Sequence, residues 1–153
     1  MKKVLIAVDD SKGSEAAGRT FIDLFSSNRS ITAVLVYIQK IEGRSFMDDM
    51  LGEAELSTLK EMLKGTEYKK LLDKKGEKVI SYHREILEKS GVTEIKTLIR
   101  DGHPADEILS TAKEEGADII IIGSRGKRMH NLLMGSVSRE VANRADIPVL
   151  LAK

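Results

Sequence analysis

The residues best suited to chemistry in this chain stand in three short clusters: Asp9-Asp10-Ser11, Gly123-Ser124-Arg125-Gly126 and Gly135-Ser136. Gly123 and Gly126 let the backbone turn sharply and bring N–H groups close to an anion, while Arg125, Lys127 and Arg128 add positive charge. Phosphate is the natural guest. Gly135-Ser136 opens a helical pattern, whose free N–H groups and positive dipole end offer a second anion contact, with the Ser136 and Ser138 hydroxyls as donors. Two such half-sites could grip a polyphosphate. The same residues also allow a plainer reading, in which Gly123 and Gly126 shape a tight turn and Ser136 caps a helix; short glycine patterns are common. Asp9 is likewise open between contacting a ligand and capping the turn from Ser11 to Ser14.

The elements around these clusters decide whether they meet. Lys3 to Val8 and Asp118 to Ile122 are continuous β-branched runs ended by turn residues, the pattern of parallel strands covered on both faces. Ile31 to Ile38, Glu94 to Ile99 and Val149 to Ala152 read as three more strands; the second of these alternates most strongly and belongs nearer an edge. Pro148 suits a strand start because it cannot donate to a ladder. Between the first two strands, Ala17, Thr20, Phe21, Leu24 and Phe25 recur at helical spacing, with Ser14 placed to cap the first turn. A second helix starts at Pro104, carries Asp106 and Glu107 at its positive end, turns Ala105, Ile108, Leu109 and Ala112 inward and stops at Gly116. A third carries Val137, Val141, Ala142 and Ala145 on one face.

Right-handed crossovers then predict an α/β fold: an open five-stranded parallel sheet, doubly wound and Rossmann-like, in the order 3-2-1-4-5 with helices on both faces. Its switch point lies between strands one and four, where ligands of such sheets bind and where the Asp9 and Gly123 clusters fall. The connection from about residue 40 to 90 is longer than usual crossovers and reads as an insertion within one domain spanning 1–153. In it, Leu56, Leu59, Met62 and Leu63 suggest a short helix, and Leu72, Val79, His83, Ile86 and Leu87 a longer one ending before Gly91. Glu42 to Gly52 reads as a loop, with Asp48 and Asp49 solvated, while Met47, Met50 and Met62 fit a packed helix face better than a partner surface.

Composition removes several function classes. There are 0 cysteines, which excludes disulfides, thiolate metal sites and sulfur nucleophiles. Lys+Arg 25 against Asp+Glu 24 nearly cancel and aromatics make up only 4% of the chain, so a nucleic-acid surface is not expected. No apolar run approaches the roughly 18–20 residues that cross a bilayer, and the apolar start Val4 to Val8 is too short for a signal peptide. A soluble, cytoplasmic protein without membrane contact is the expectation. His83, His103 and His130 lack companions at metal-ligand spacing, and His103 reads as a turn or cap residue before Pro104.

Gly-Ser-Arg-Gly at 123–126, Gly-Ser-Val-Ser at 135–138 and Ile-Pro-Val-Leu at 147–150, together with Val8-Asp9-Asp10-Ser11 and Gly102-His103-Pro104-Ala105, resemble the ordered landmarks of the universal stress protein family. The resemblance covers the chain apart from its variable middle. It implies a nucleotide-binding regulatory module of the stress response, with slow or no hydrolysis, taking ATP, or alternatively AMP or ADP, with Mg²⁺. ATP-binding members carry Gly-x2-Gly-x9-Gly followed by Ser or Thr, which implicates Gly123, Gly126, Gly135 and Ser136. The resemblance further implies that Asp9 approaches the ribose or a phosphate-bound Mg²⁺, that Ala7 and Val8 border the sugar, and that the Ile38 backbone reads the adenine edge. Ser124, Arg125, Val137 and Ser138 fall in the same implied pocket. Here Lys127 through Met134 supply eight intervening residues rather than nine, shortening the loop by up to about 3.5 Å.

The alternative is therefore a family member that binds no nucleotide and acts as a dimeric interaction module for an unknown protein partner. A homodimer through the last strand, Val149 to Leu151, is implied in either case. No Gly-x4-Gly-Lys-Ser/Thr loop is present, nor Gly-x-Gly-x2-Gly, nor the Ser-Gly-Gly loop of enzymes that cleave ATP between its α and β phosphates. A phosphate- or adenylate-transferring enzyme using Asp9, Lys12 or Arg125 is the third reading, and at most a weak ATPase is expected.

Overall fold

The computed structural model describes residues 2–40, 58, 67–125 and 134–153. Five parallel strands, β1 (Lys3–Val8), β2 (Thr32–Gln39), β3 (Ile95–Asp101), β4 (Ile119–Gly123) and β5 (Val149–Ala152), form one sheet in the order β3-β2-β1-β4-β5. Four helices connect them: α1 (Lys12–Phe25), α2 (Glu67–Lys89), α3 (Pro104–Glu115) and α4 (Ser136–Arg144). The strand order is the expected one. The run of apolar residues in β1 is explained by its place, with Val4, Leu5 and Ile6 fully buried between helices on both faces. β3, with every residue intermediate or exposed, stands at the edge.

Alternation along the strands sends side chains into two cores. Val4, Ile6, Val8, Leu35 and Ile121 pack with Phe21 of α1 and Val79, Ile80 and Leu87 of α2. Leu5, Ala7, Val36, Ile120 and Ile122 pack with Ala105, Ile108 and Ala112 of α3 and Val141 of α4. α3 begins with Pro104 and ends at Gly116, whose left-handed backbone (φ 61, ψ 44) suits a residue without a Cβ.

Two local expectations need correction. The N-cap of α1 is Ser11, whose hydroxyl accepts from the Ser14 N–H at 3.3 Å; Ser14 is already inside the helix, and its hydroxyl is drawn back to the Asp9 N–H at 2.8 Å. Leu24 is 54% exposed, because Phe21 and Phe25, with rings 5.7 Å apart, occupy the buried stripe and leave Leu24 at its margin. The short helix expected around Leu56 to Leu63, the loop Glu42 to Gly52 and the three methionines fall outside the described residues, apart from Thr58.

Gly18 lies buried inside α1, and a Cβ placed there would have His83 Nδ1, at 3.9 Å, as its nearest neighbour, an ordinary contact. Glycine is weaker than alanine in a helix interior by up to about 1 kcal/mol. Gly18→Ala is therefore expected to raise the unfolding free energy by about 0.5–1 kcal/mol, read from urea titration by circular dichroism.

At the opposite end of the sheet from the expected site, the Asp118 carboxylate accepts the backbone N–H groups of Lys2 and Lys3 at 2.7 and 2.9 Å, tying β1 to the start of β4. These donors, Lys3 first and then Lys2, hold the carboxyl below its ordinary range. A lowered folded-state value means that the stabilisation is complete above the unfolded carboxylate's pKa and is lost as pH falls through the folded value. Asp118→Asn is expected to lower the urea midpoint at neutral pH, with the gap to wild type closing below about pH 4. An equal gap at about pH 2.5 and at neutrality would refute the assignment.

Candidate functional site

The carboxyl ends of β1 and β4 adjoin because Ala7 pairs with Ile122 across the switch point. Beyond the strands, the two connections touch through their backbones. A Cβ on Gly123 would overlap the carbonyl carbon and oxygen of Gly13 and come within 2.7 Å of its Cα; one on Gly13 would overlap the Arg125 carbonyl oxygen. The start of α1 and the chain leaving β4 fit together only because both positions lack side chains.

On the β1 side, Asp9 forms a small turn in which its Oδ1 accepts the Ser11 N–H at 2.8 Å. The Asp9 carboxylate thus supports the turn ahead of the Ser11 cap, and Asp9 remains partly exposed at the end of β1. His83, 4% exposed, reaches across from α2, its Nε2 lying 3.0 Å from the Asp9 carbonyl oxygen and 3.2 Å from Ser14 Oγ. From β2, the Tyr37 hydroxyl is pushed above its ordinary pKa by burial first and then by the charges of Asp10 and Asp9.

On the β4 side, Ser124 is buried and joined at both backbone groups: its N–H donates to the Ala152 carbonyl and its carbonyl accepts the Gly135 N–H, each at 2.7 Å. The Ser138 hydroxyl, 2% exposed, donates toward the Ser124 and Gly135 carbonyls at 3.2 and 3.0 Å. Ser138 therefore fastens the helix start to the end of β4. Intrahelical bonding begins with the Arg139 N–H to the Gly135 carbonyl, at 3.0 Å. The N–H groups of Ser136, Val137 and Ser138 precede any intrahelical acceptor and mark an anion-seeking end of α4.

The expected residues fall unevenly around this junction. Asp9, Gly123, Ser124, Gly135, Ser136 and Ser138 fall at this junction, Val137 packs against the α3–α4 core, and Arg125 is exposed at the margin. Ala7 and Val8 are buried on opposite faces of the sheet, in the α3–α4 core and the α1–α2 core respectively. Ile38 lies one residue past Tyr37, the last β2 residue in register with β1. Gly126 lies outside the described residues. Gly13 and His83 were not singled out for the site. Only their neighbours in sequence hinted at them: a glycine between Ser11 and Ser14, and a histidine within the apolar stripe of α2.

His103 does take the N-cap position of α3, but its ring turns to Asp106 (3.3 Å) and Glu140 (3.8 Å) instead of capping. Arg144 bridges the same two carboxylates at 2.7 and 2.6 Å, and they raise its pKa above the ordinary value. This exposed cluster braces α3 against α4.

The family model described as the universal stress protein family matches residues 1–153. The chain is 31% identical to universal stress protein MJ0577 of Methanocaldococcus jannaschii over 156 residues, covering 99% of this chain and 94% of that one. The solved structure of MJ0577 superposes with a TM-score of 0.78 at 29% identity, covering 99% and 95% of the two chains. A universal stress protein from Archaeoglobus fulgidus in complex with dAMP has a TM-score of 0.65 at 23% identity, with 100% and 98% covered, a likeness of fold.

Proposed function

The chain belongs to the universal stress protein family, and from that premise we propose that it is a nucleotide-binding regulatory module, holding ATP and Mg²⁺ where β1, β4 and α4 meet. One observation carries the reading. The Gly123–Arg125 segment and the N–H-bearing start of α4 are stitched together through Ser124, Gly135 and Ser138, so both anion-seeking halves face one place. Gly123 and Gly126 would admit the phosphates, the Ser136 N–H and hydroxyl would bind them, and the outer oxygen of Asp9 would meet Mg²⁺ or the ribose. Ala7 and Val8 contribute backbone and core packing at the sugar's edge, and Ile38 offers backbone to the base. That a fold relative has been obtained with dAMP is consistent with AMP or ADP as alternative ligands. With no lysine-bearing phosphate loop of the ATPase type, binding rather than turnover is the role, in a stress-responsive, cytoplasmic protein.

Calorimetric titration of MgATP into wild type and a Gly126→Ala/Gly135→Ala double variant tests this. Gly135 sits at φ −61, ψ 153, which alanine adopts freely, so the substitution there adds no backbone strain. Saturable binding to wild type, weakened at least about tenfold in the variant, is expected. No saturable heat with wild type would overturn the reading in favour of a nucleotide-free interaction module, for which the eight-residue spacer before Gly135 argues. β5 ends the sheet with Val149, Leu150 and Leu151 only partly covered, and we propose that a second copy pairs there. Sizing that gave monomer alone at high concentration would count against the dimer.

A further inference from the structure

Between α1 and α2 lies a cleft of about 190 Å³, walled by Leu35, Ile86 and Leu87 and opened on the α1 side by the missing side chain of Gly18. At its mouth the Tyr82 hydroxyl donates to Glu15 at 3.3 Å, linking the two helices. His83 joins this apolar space to the loop after β1. The Asp9 carbonyl, 3.0 Å from Nε2, can only accept, so Nε2 is the donor, and in the Nε2–H tautomer Nδ1 presents a lone pair. Nδ1 is the atom nearest the space that a Gly18 side chain would take, at 3.9 Å, and has no hydrogen-bond partner among the described residues. An acceptor thus opens onto a mostly apolar cleft.

From this geometry we propose that the α1–α2 cleft is a binding site for a single-ring phenolic molecule, whose hydroxyl donates to His83 Nδ1 while its ring lies against Gly18, Tyr82 and Ile86, above the buried Leu35 and Leu87. Size supports this, since an apolar cavity of about 150 Å³ admits benzene, and this cleft has room for the added oxygen. Chemistry supports it too. A ring without a donor would bury the Nδ1 lone pair unpaired, whereas a phenol satisfies it. Because the other ring nitrogen is fastened to Asp9 and Ser14, occupancy would be felt at the end of β1. The site stands apart from the nucleotide reading and does not depend on it.

Titration of nucleotide-free, ¹⁵N-labelled protein with phenol, and separately with anisole, which keeps the ring but lacks the O–H, tests the proposal by NMR. Saturable shifts of the Gly18 and Leu87 amides and of the His83 ring nitrogens are expected, with phenol about tenfold tighter than anisole. Gly18→Ala, whose methyl enters the cleft without strain, should weaken phenol at least about fivefold while leaving the fold intact. Absence of saturable shifts up to the solubility of phenol, equal affinity for both probes, or unchanged affinity in Gly18→Ala would each overturn it.

Discussion

Replacing Gly123 by alanine is expected to lower the unfolding free energy by about 1–3 kcal/mol, the cost of forcing atoms into a closed contact. The new methyl would collide with the Gly13 backbone, which cannot rotate aside as a flexible side chain would. Either the start of α1 or the end of β4 must move. Gly13→Ala should produce the same separation by striking the Arg125 carbonyl. Once one methyl has parted the two segments, the second has less to displace, so the double variant should cost less than the sum of the singles. Urea titrations with unchanged m-values check the series, and a wild-type midpoint for Gly123→Ala would show that the segments do not touch. MgATP affinity should fall in the folded variants as well, because the displaced segments are those proposed to face the phosphates.

Ser14→Ala is expected to cost a similar amount, about 1–3 kcal/mol, for a different reason: a polar group loses its partner. The Asp9 N–H donates to Ser14 Oγ at 2.8 Å, and His83 Nε2 lies 3.2 Å from the same oxygen. With Ser14 only 3% exposed, water has little access to replace the lost acceptor. Besides a lower urea midpoint, faster amide hydrogen exchange should appear at Asp9 and Ser11, whose turn the hydroxyl supports. Unchanged exchange at Asp9 would mean that its N–H has another acceptor.

These two sites also mark where reading the sequence ends. The strands and their order were legible because each rests on near neighbours: unbroken β-branched runs for β1 and β4, alternation for the edge strand β3, and Pro104 and Gly116 at the bounds of α3. The general location of the site followed, since a doubly wound sheet puts its switch point beyond β1 and β4. Ser11 and Ser14 are equally good capping residues by type, so local chemistry could not choose between them. The choice came from Asp9 and from His83, which is 69 positions from Ser14 and 74 from Asp9 in sequence. Glu140 and Arg144 meet His103 and Asp106 only because α3 and α4 share a face of the sheet. Propensity and periodicity act over a few residues, and they determined the elements, the parallel sheet and the end of it that carries the candidate site. The Gly13–Gly123 contact, the buried histidine and the cleft depend on how distant helices and loops come to rest on that sheet, which only the packed chain decides.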